Sequence, residues 1–142
     1  GGNSGSVNDT IDYITIGSTG NASDFGNLVA ATAGTAGCCS ATRGVSMGGA
    51  PAGTAGANTI EYITIDSTGN TTDFGDLSTT WYLGAGGSNK TRGVIAGGRA
   101  NGNSDVIEYI TIASTGDSAD FGDLTVGSKM MGSASNLHGG IA

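Results

Sequence analysis

Ile60-Glu61-Tyr62-Ile63-Thr64-Ile65 is the stretch on which the reading of this chain turns. It is written three times, first as Ile11-Asp12-Tyr13-Ile14-Thr15-Ile16 and last as Ile107-Glu108-Tyr109-Ile110-Thr111-Ile112. Each copy runs on into Ser-Thr-Gly, led by Ser18, Ser67 and Ser114. Asp-Phe-Gly follows, led by Asp24, Asp73 and Asp120. The copies start 49 and 47 residues apart. A long, nearly fixed period marks one supersecondary unit that buries its apolar face only against its neighbours.

The chain divides into repeats 1–47, 48–96 and 97–142 of a single domain, 1–142, and each repeat opens on Gly-Gly. A polar segment of variable length follows the glycines, as surface loops do. The Ile-Glu-Tyr-Ile-Thr-Ile strand is rich in β-branched and aromatic residues and apolar on both alternating faces, so it is expected to be covered on both sides. Ser-Thr-Gly marks a turn, and a second strand is expected around Asp-Phe-Gly, with Phe25/Leu28, Phe74/Leu77 and Phe121/Leu124 as bulky core groups. A small-residue stretch such as 83–88 leads to a short strand, Thr91-Arg92-Gly93-Val94-Ile95-Ala96, written Thr42-Arg43-Gly44-Val45-Ser46-Met47 in the first repeat. In the third repeat it is read at 137–142, with His138 at the arginine position. Four short strands per unit are therefore predicted. No segment carries a 3.6-residue apolar period, so no helix is expected and the class is all-β.

Composition agrees with short strands and tight turns. The 142 residues include 28 glycines, and only 25 are Ile, Leu, Val or Phe. So thin an apolar set is usual for disordered chains, but the ordered repetition argues against disorder. The net charge of −7, with Arg43, Lys90, Arg92, Arg99 and Lys129 as the cations, offers no basic patch and speaks against nucleic acid. No apolar run approaches the roughly 18–20 residues of a membrane-spanning helix. The chain opens at Gly1-Gly2 without an initiator Met. A processed product or a piece of a longer chain is expected, and missing targeting signals carry no information about destination.

The strand ending in Ala96-Gly97-Gly98, the variable loop and the acidic–aromatic pair Glu108-Tyr109 resemble kelch-type repeats, with Phe25, Phe74 and Phe121 at the post of the usual kelch tryptophan. The wording of the motif set is similar to kelch-like repeats of marine bacteriophage virion and tail proteins. The resemblance implies a β-propeller of four-stranded antiparallel blades, three blade-length repeats per chain, with the chain ends falling inside a blade. Three blades are fewer than the roughly 4–8 that close a ring. Two chains are accordingly expected to join head to tail as a homodimer with a six-bladed ring, 137–142 of one copy completing the first blade of the other. A fragment of a longer propeller is the rival explanation.

Catalysis has little material. The threefold Asp-Phe-Gly lacks every accompanying kinase motif and reads as a repeated turn burying Phe. Asp24, Asp73/Asp76 and Asp120/Asp123 read as solvated turn residues rather than a calcium loop. One histidine, His138, does not make a copper centre, and Arg43 and Arg92 are repeat-equivalent. No enzyme, cofactor or metal is expected. The adjacent Cys38-Cys39 read as small strand residues, with a vicinal disulfide or reactive thiol as alternatives. Trp81-Tyr82 breaks the repeat, standing where the others have Thr32-Ala33 and Ser128-Lys129. Trp81, Tyr82 and Arg99 are the candidate ligand-binding residues, with sugar stacking weighed against core filling for the aromatic pair. The function expected is a structural or adhesion module, virion-borne or extracellular, that presents its loops to a glycan or a virion protein. The alternative is a carbohydrate-binding propeller.

Overall fold

The computed structural model describes residues 1–99 and 101–134, and these form fourteen strands without a helix. In chain order they are β1 (Gly2–Asn3), β2 (Val7–Asn8), β3 (Thr10–Tyr13), β4 (Ser23–Asn27), β5 (Thr32–Ala33), β6 (Ala36–Cys39) and β7 (Arg43–Met47). There follow β8 (Ala50–Pro51), β9 (Ala57–Thr64), β10 (Thr72–Trp81), β11 (Ala85–Ser88), β12 (Arg92–Ala96), β13 (Val106–Thr111) and β14 (Ala119–Asp123). The all-β expectation holds. The strand expected at 137–142, with His138, lies outside the described residues.

Two four-stranded antiparallel sheets carry the architecture, ordered β6-β7-β9-β10 and β11-β12-β13-β14. Each straddles a repeat boundary: β6 and β7 come from 1–47, while β9 and β10 come from 48–96. β3 and β4 pair as a half-sheet, equivalent to β9 with β10 and to β13 with β14. The Gly-Gly pairs let β7 pass into β9 and β12 into β13. Gly48 and Gly49 stand at φ 63° and 104°, and Gly97 and Gly98 at 60° and 100°, a left-handed corner that a Cβ would oppose.

The repeated strand is buried at alternate positions where it has neighbours on both sides, although Ile65 at the end of the second copy is exposed. Ile60 in β9 and Ile110 in β13 are buried, as is Ile112 just past β13. The first copy departs from the expectation of cover on both faces. β3 stops at Tyr13, pairs only with β4, and leaves Ile14 and Ile16 exposed at 62% and 94%. The cause is the missing neighbour, because no described strand occupies the place beside β3 that β7 takes beside β9.

Asp-Phe-Gly is a β-bulge within a strand, which corrects the turn expected from sequence. In each pairing the Phe has no partner across the ladder: Asp73 faces Glu61 and Gly75 faces Ile60, so Phe74 is the extra residue. Phe25 and Phe121 are extra in the same way. A bulge swings its side chain and sharpens the twist. Here it sets each Phe edge-on to the tyrosine of its own unit, Tyr13, Tyr62 or Tyr109, with ring centroids 6.0 Å apart in all three. Such pairs are worth about 0.5–1.5 kcal/mol beyond area burial. Phe25 and Phe74 are buried core groups as expected, whereas Phe121, expected in the core, is exposed because no described turn covers it. The core is concentrated in and between the two full sheets, built on residues such as Val45, Met47, Ile60, Phe74, Trp81 and Ile95. The thin apolar set suffices because close backbone approach does part of the packing. A Cβ on Gly86 would collide with the Gly37 carbonyl, and one on Gly93 with the Cys38 Sγ.

Candidate functional site

Of the three residues singled out by sequence, the structure brings Tyr82 and Arg99 together and buries Trp81. Tyr82 and Arg99 form an isolated antiparallel bridge, with the Arg99 N–H donating to the Tyr82 carbonyl at 2.8 Å. Arg99 also bridges to Asn103, and Arg99, Asn101 and Asn103 are exposed. This loop follows Gly97-Gly98. Its counterpart after Gly48-Gly49 is anchored alike, β8 pairing with β5 and Thr54 folding back onto the Pro51 carbonyl. The loops after each Gly-Gly are thus tied at their base and open at their tips. Trp81 is fully buried, with its Nε1 unpartnered among the described residues. Core filling is the alternative its position fits, and no face of its ring is open to a sugar.

The chemistry-bearing residues that sequence reasoning missed lie between units, in a joint built twice. The turn after β9 docks on β4: the Gly69 N–H donates to the Phe25 carbonyl at 2.7 Å and the Thr71 N–H to the Asn27 carbonyl at 2.9 Å. In return the Asn27 N–H donates to Asn70 Oδ1 at 3.0 Å. The turn after β13 repeats this on β10, with Gly116 to the Phe74 carbonyl at 2.7 Å, Ser118 to the Asp76 carbonyl at 2.9 Å, and the Asp76 N–H to Asp117 Oδ1 at 3.0 Å. The bulge glycine makes the approach possible, since a Cβ on Gly26 or Gly75 would strike the Gly69 or Gly116 carbonyl.

A buried carboxylate locks each joint. Glu61 Oε2 accepts the Val29 N–H at 2.8 Å and the Thr71 hydroxyl at 2.5 Å. Glu108 Oε2 accepts the Ser78 N–H at 3.2 Å and the Ser118 hydroxyl at 2.5 Å, while the Ser78 hydroxyl donates to Glu108 Oε1. Both glutamates are buried, at 6% and 2% exposure, and a buried charge persists only with donors around it. An arginine adds a third link: Arg43 stacks on Tyr62, 4.3 Å from the ring centroid, and donates from Nη1 to the Ile112 carbonyl of the next sheet at 2.7 Å. The sequence signal was present: glutamate pairs with Thr71 or Ser118 ten residues on, whereas the first unit has Asp12 and Ala22.

The other candidates are placed plainly. Asp24, Asp73, Asp76, Asp120 and Asp123 are exposed, and no group of three potential metal ligands occurs among the described residues. Cys38 and Cys39 are free thiols at the end of β6. Burial, and then the neighbouring Cys39, pushes the Cys38 thiol up to about 12, so it stays protonated at neutral pH and is a poor nucleophile. A cleft of about 240 Å³ lies between the half-sheet and the first full sheet, lined by Ile11, Leu28, Cys38, Val45, Glu61 and Ile63. No family model matches the chain, and no curated protein matches it in sequence.

Proposed function

We propose that the chain is a non-enzymatic structural or adhesion module, a kelch-like β-propeller whose four-stranded sheets are blades and whose work is rigid presentation of the loops after each Gly-Gly. The observation that carries this reading is the joint repeated between successive units, in which the same backbone links recur and a glutamate Oε2 accepts one N–H and one hydroxyl each time. A joint that recurs at the same place at each step is what arrays blades about an axis. A second ladder supports it: the Leu83 N–H donates to the Gly34 carbonyl at 2.8 Å and the Met130 N–H to the Leu83 carbonyl at 2.9 Å, so the segments leading into β6 and β11 and the chain at Met130 are linked in series.

Two copies are proposed to join head to tail and close six blades, since open sheet edges invite pairing and twofold assemblies are the commonest closed ones. The buried carboxylates are engaged in the joints, the Cys38 thiol is held protonated, and the exposed polar tips around Arg99 suit contact with a surface. A phage particle or another extracellular assembly is the setting proposed, with a virion protein or glycan as the contact. Small-angle X-ray scattering tests the shape. A compact disc of twice the 13.7 kDa chain mass is expected, and an extended open stack of sheets would contradict it. The carbohydrate-binding alternative now rests on Tyr82, Arg99 and the loops. A glycan array with wild type and Arg99→Ala separates the two readings: no glycan bound leaves the structural reading standing, and binding lost in the variant selects the alternative.

A further inference from the structure

We propose that the outer edge of β14 at Phe121 and Asp123 is a docking surface for a second copy of this chain, entered by that copy's residues Gly20, Asn21 and Ala22. The inference rests on the head-to-tail association proposed above and names the contact that makes it.

The edge is the receiving half of the joint that β4 and β10 already use. Asp123 faces Val106 in register as Asp76 faces Thr59, so its N–H and carbonyl, like the Phe121 carbonyl, point away from β13. Nothing described covers them. Phe121 is 55% exposed, whereas Phe25 and Phe74, each under a docked turn, are 7% and 3% exposed. The bulge is nevertheless formed, with Gly122 at φ 138° beside 153° and 148° for Gly26 and Gly75. The space where a Cβ of Gly122 would stand is empty to 4 Å, while at the other two glycines it holds the carbonyl of the next turn. The edge is shaped for a turn that the described residues do not supply.

The inserting half is also present and unused. Gly20, Asn21 and Ala22 correspond to Gly69-Asn70-Thr71 and Gly116-Asp117-Ser118, and their N–H groups make no backbone hydrogen bond among the described residues. Ile16, the counterpart of the Ile112 that receives Arg43, is 94% exposed. Arg92 stacks on Tyr109 at 4.6 Å as Arg43 stacks on Tyr62, yet meets no carbonyl among the described residues. One copy therefore offers Phe121, Asp123 and Arg92, and the next offers Gly20, Asn21, Ala22 and the Ile16 carbonyl. The two halves complement each other in the backbone groups, the asparagine and the arginine link that the internal joints use, which points to a second copy rather than to an unrelated partner.

The first unit lacks one part of the lock. Asp12 replaces glutamate and is a methylene short, and Ala22 has no hydroxyl where Thr71 and Ser118 donate. The joint between copies is consequently weaker than the two within a chain, and association is reversible. Sedimentation equilibrium on the full chain tests this. Phe121→Asp and Arg92→Ala, both at exposed positions, are each expected to raise the dissociation constant about tenfold or more. The double variant Asp12→Glu/Ala22→Thr completes the clamp and is expected to lower it about tenfold, as a hydrogen bond to a charged group warrants. Self-association that ignores all three variants would overturn this docking surface while leaving head-to-tail assembly by other contacts. A monomer at every concentration, in wild type and double variant alike, would overturn both.

Discussion

Replacing Glu108 by alanine is expected to destabilise the protein by about 3 kcal/mol, because it leaves three part-buried donors without their charged acceptor. The carboxylate accepts from the Ser78 N–H, the Ser78 hydroxyl and the Ser118 hydroxyl. Hydrogen bonds to a charged group contribute roughly 1.5–3 kcal/mol each. The cost of keeping the charge out of water offsets part of that sum, so the net loss is smaller than three bonds would suggest. Glu108→Gln keeps the shape and one acceptor and is expected to cost about half as much. Urea unfolding followed by fluorescence of Trp81, the one tryptophan and fully buried, reads the change at fixed protein concentration, since self-association would shift the midpoint. A double-mutant cycle with Ser118→Ala isolates the lock, with a coupling of about 1 kcal/mol expected between residues that share a bond. Asp120→Ala, at the exposed position directly across the ladder from Glu108, is the control and should stay within about 0.5 kcal/mol. A Glu108→Ala effect as small as the control, or strict additivity with Ser118→Ala, would refute the joint.

Three further outcomes follow from the same geometry. Trp81→Ala should cost about 3–5 kcal/mol as a large-to-small core change, and Trp81→Phe distinctly less, because it also removes the unpartnered buried Nε1; equal costs in thermal melts would contradict the burial. In protein dilute enough to be monomeric, Gly75→Ala should destabilise more than Gly122→Ala: both glycines have positive φ, but within one chain only at Gly75 does the added Cβ meet the carbonyl of a docked turn, that of Gly116, and a chemical-denaturation comparison giving the reverse order would count against the docked turn. At pH 8 one thiol, Cys39, should react promptly with a maleimide while Cys38 waits for unfolding, as its protonated state below about 12 requires; two equally fast thiols in a mass-spectrometric time course would contradict it. The raised Cys38 value also has a definite sign for stability. The contribution is complete below the unfolded thiol's ordinary value of 9.0 and is lost as pH climbs from there toward about 12.

Period and residue type located the strands well. β-branched runs at 60–65 and 107–112 became β9 and β13 because local propensity and burial on both faces agree there. The same wording at 11–16 yields only β3, since strand length depends on a neighbour and the neighbour is not local in sequence. Asp-Phe-Gly was legible as a recurring aromatic anchor but not as a bulge, because an extra residue is defined only against the opposing strand. The glutamates were the largest omission. An acidic residue in a strand reads as solvent-facing, and Glu61 and Glu108 are buried only because the preceding unit supplies N–H donors at Val29 and Ser78. Trp81 was read correctly as an irregularity, but its burial beneath the Gly48-Gly49 corner, where the Gly49 N–H holds the Trp81 carbonyl at 2.7 Å, is a tertiary fact.

The assembly proposed from these joints is tested most directly by the mass of the wild-type chain in solution, measured by light scattering across a wide concentration range. A mass rising to twice 13.7 kDa and stopping there is the expected result, because head-to-tail closure satisfies every open joint at two copies. A mass fixed at 13.7 kDa, or one that climbs without limit as the edges add copy after copy, would contradict it.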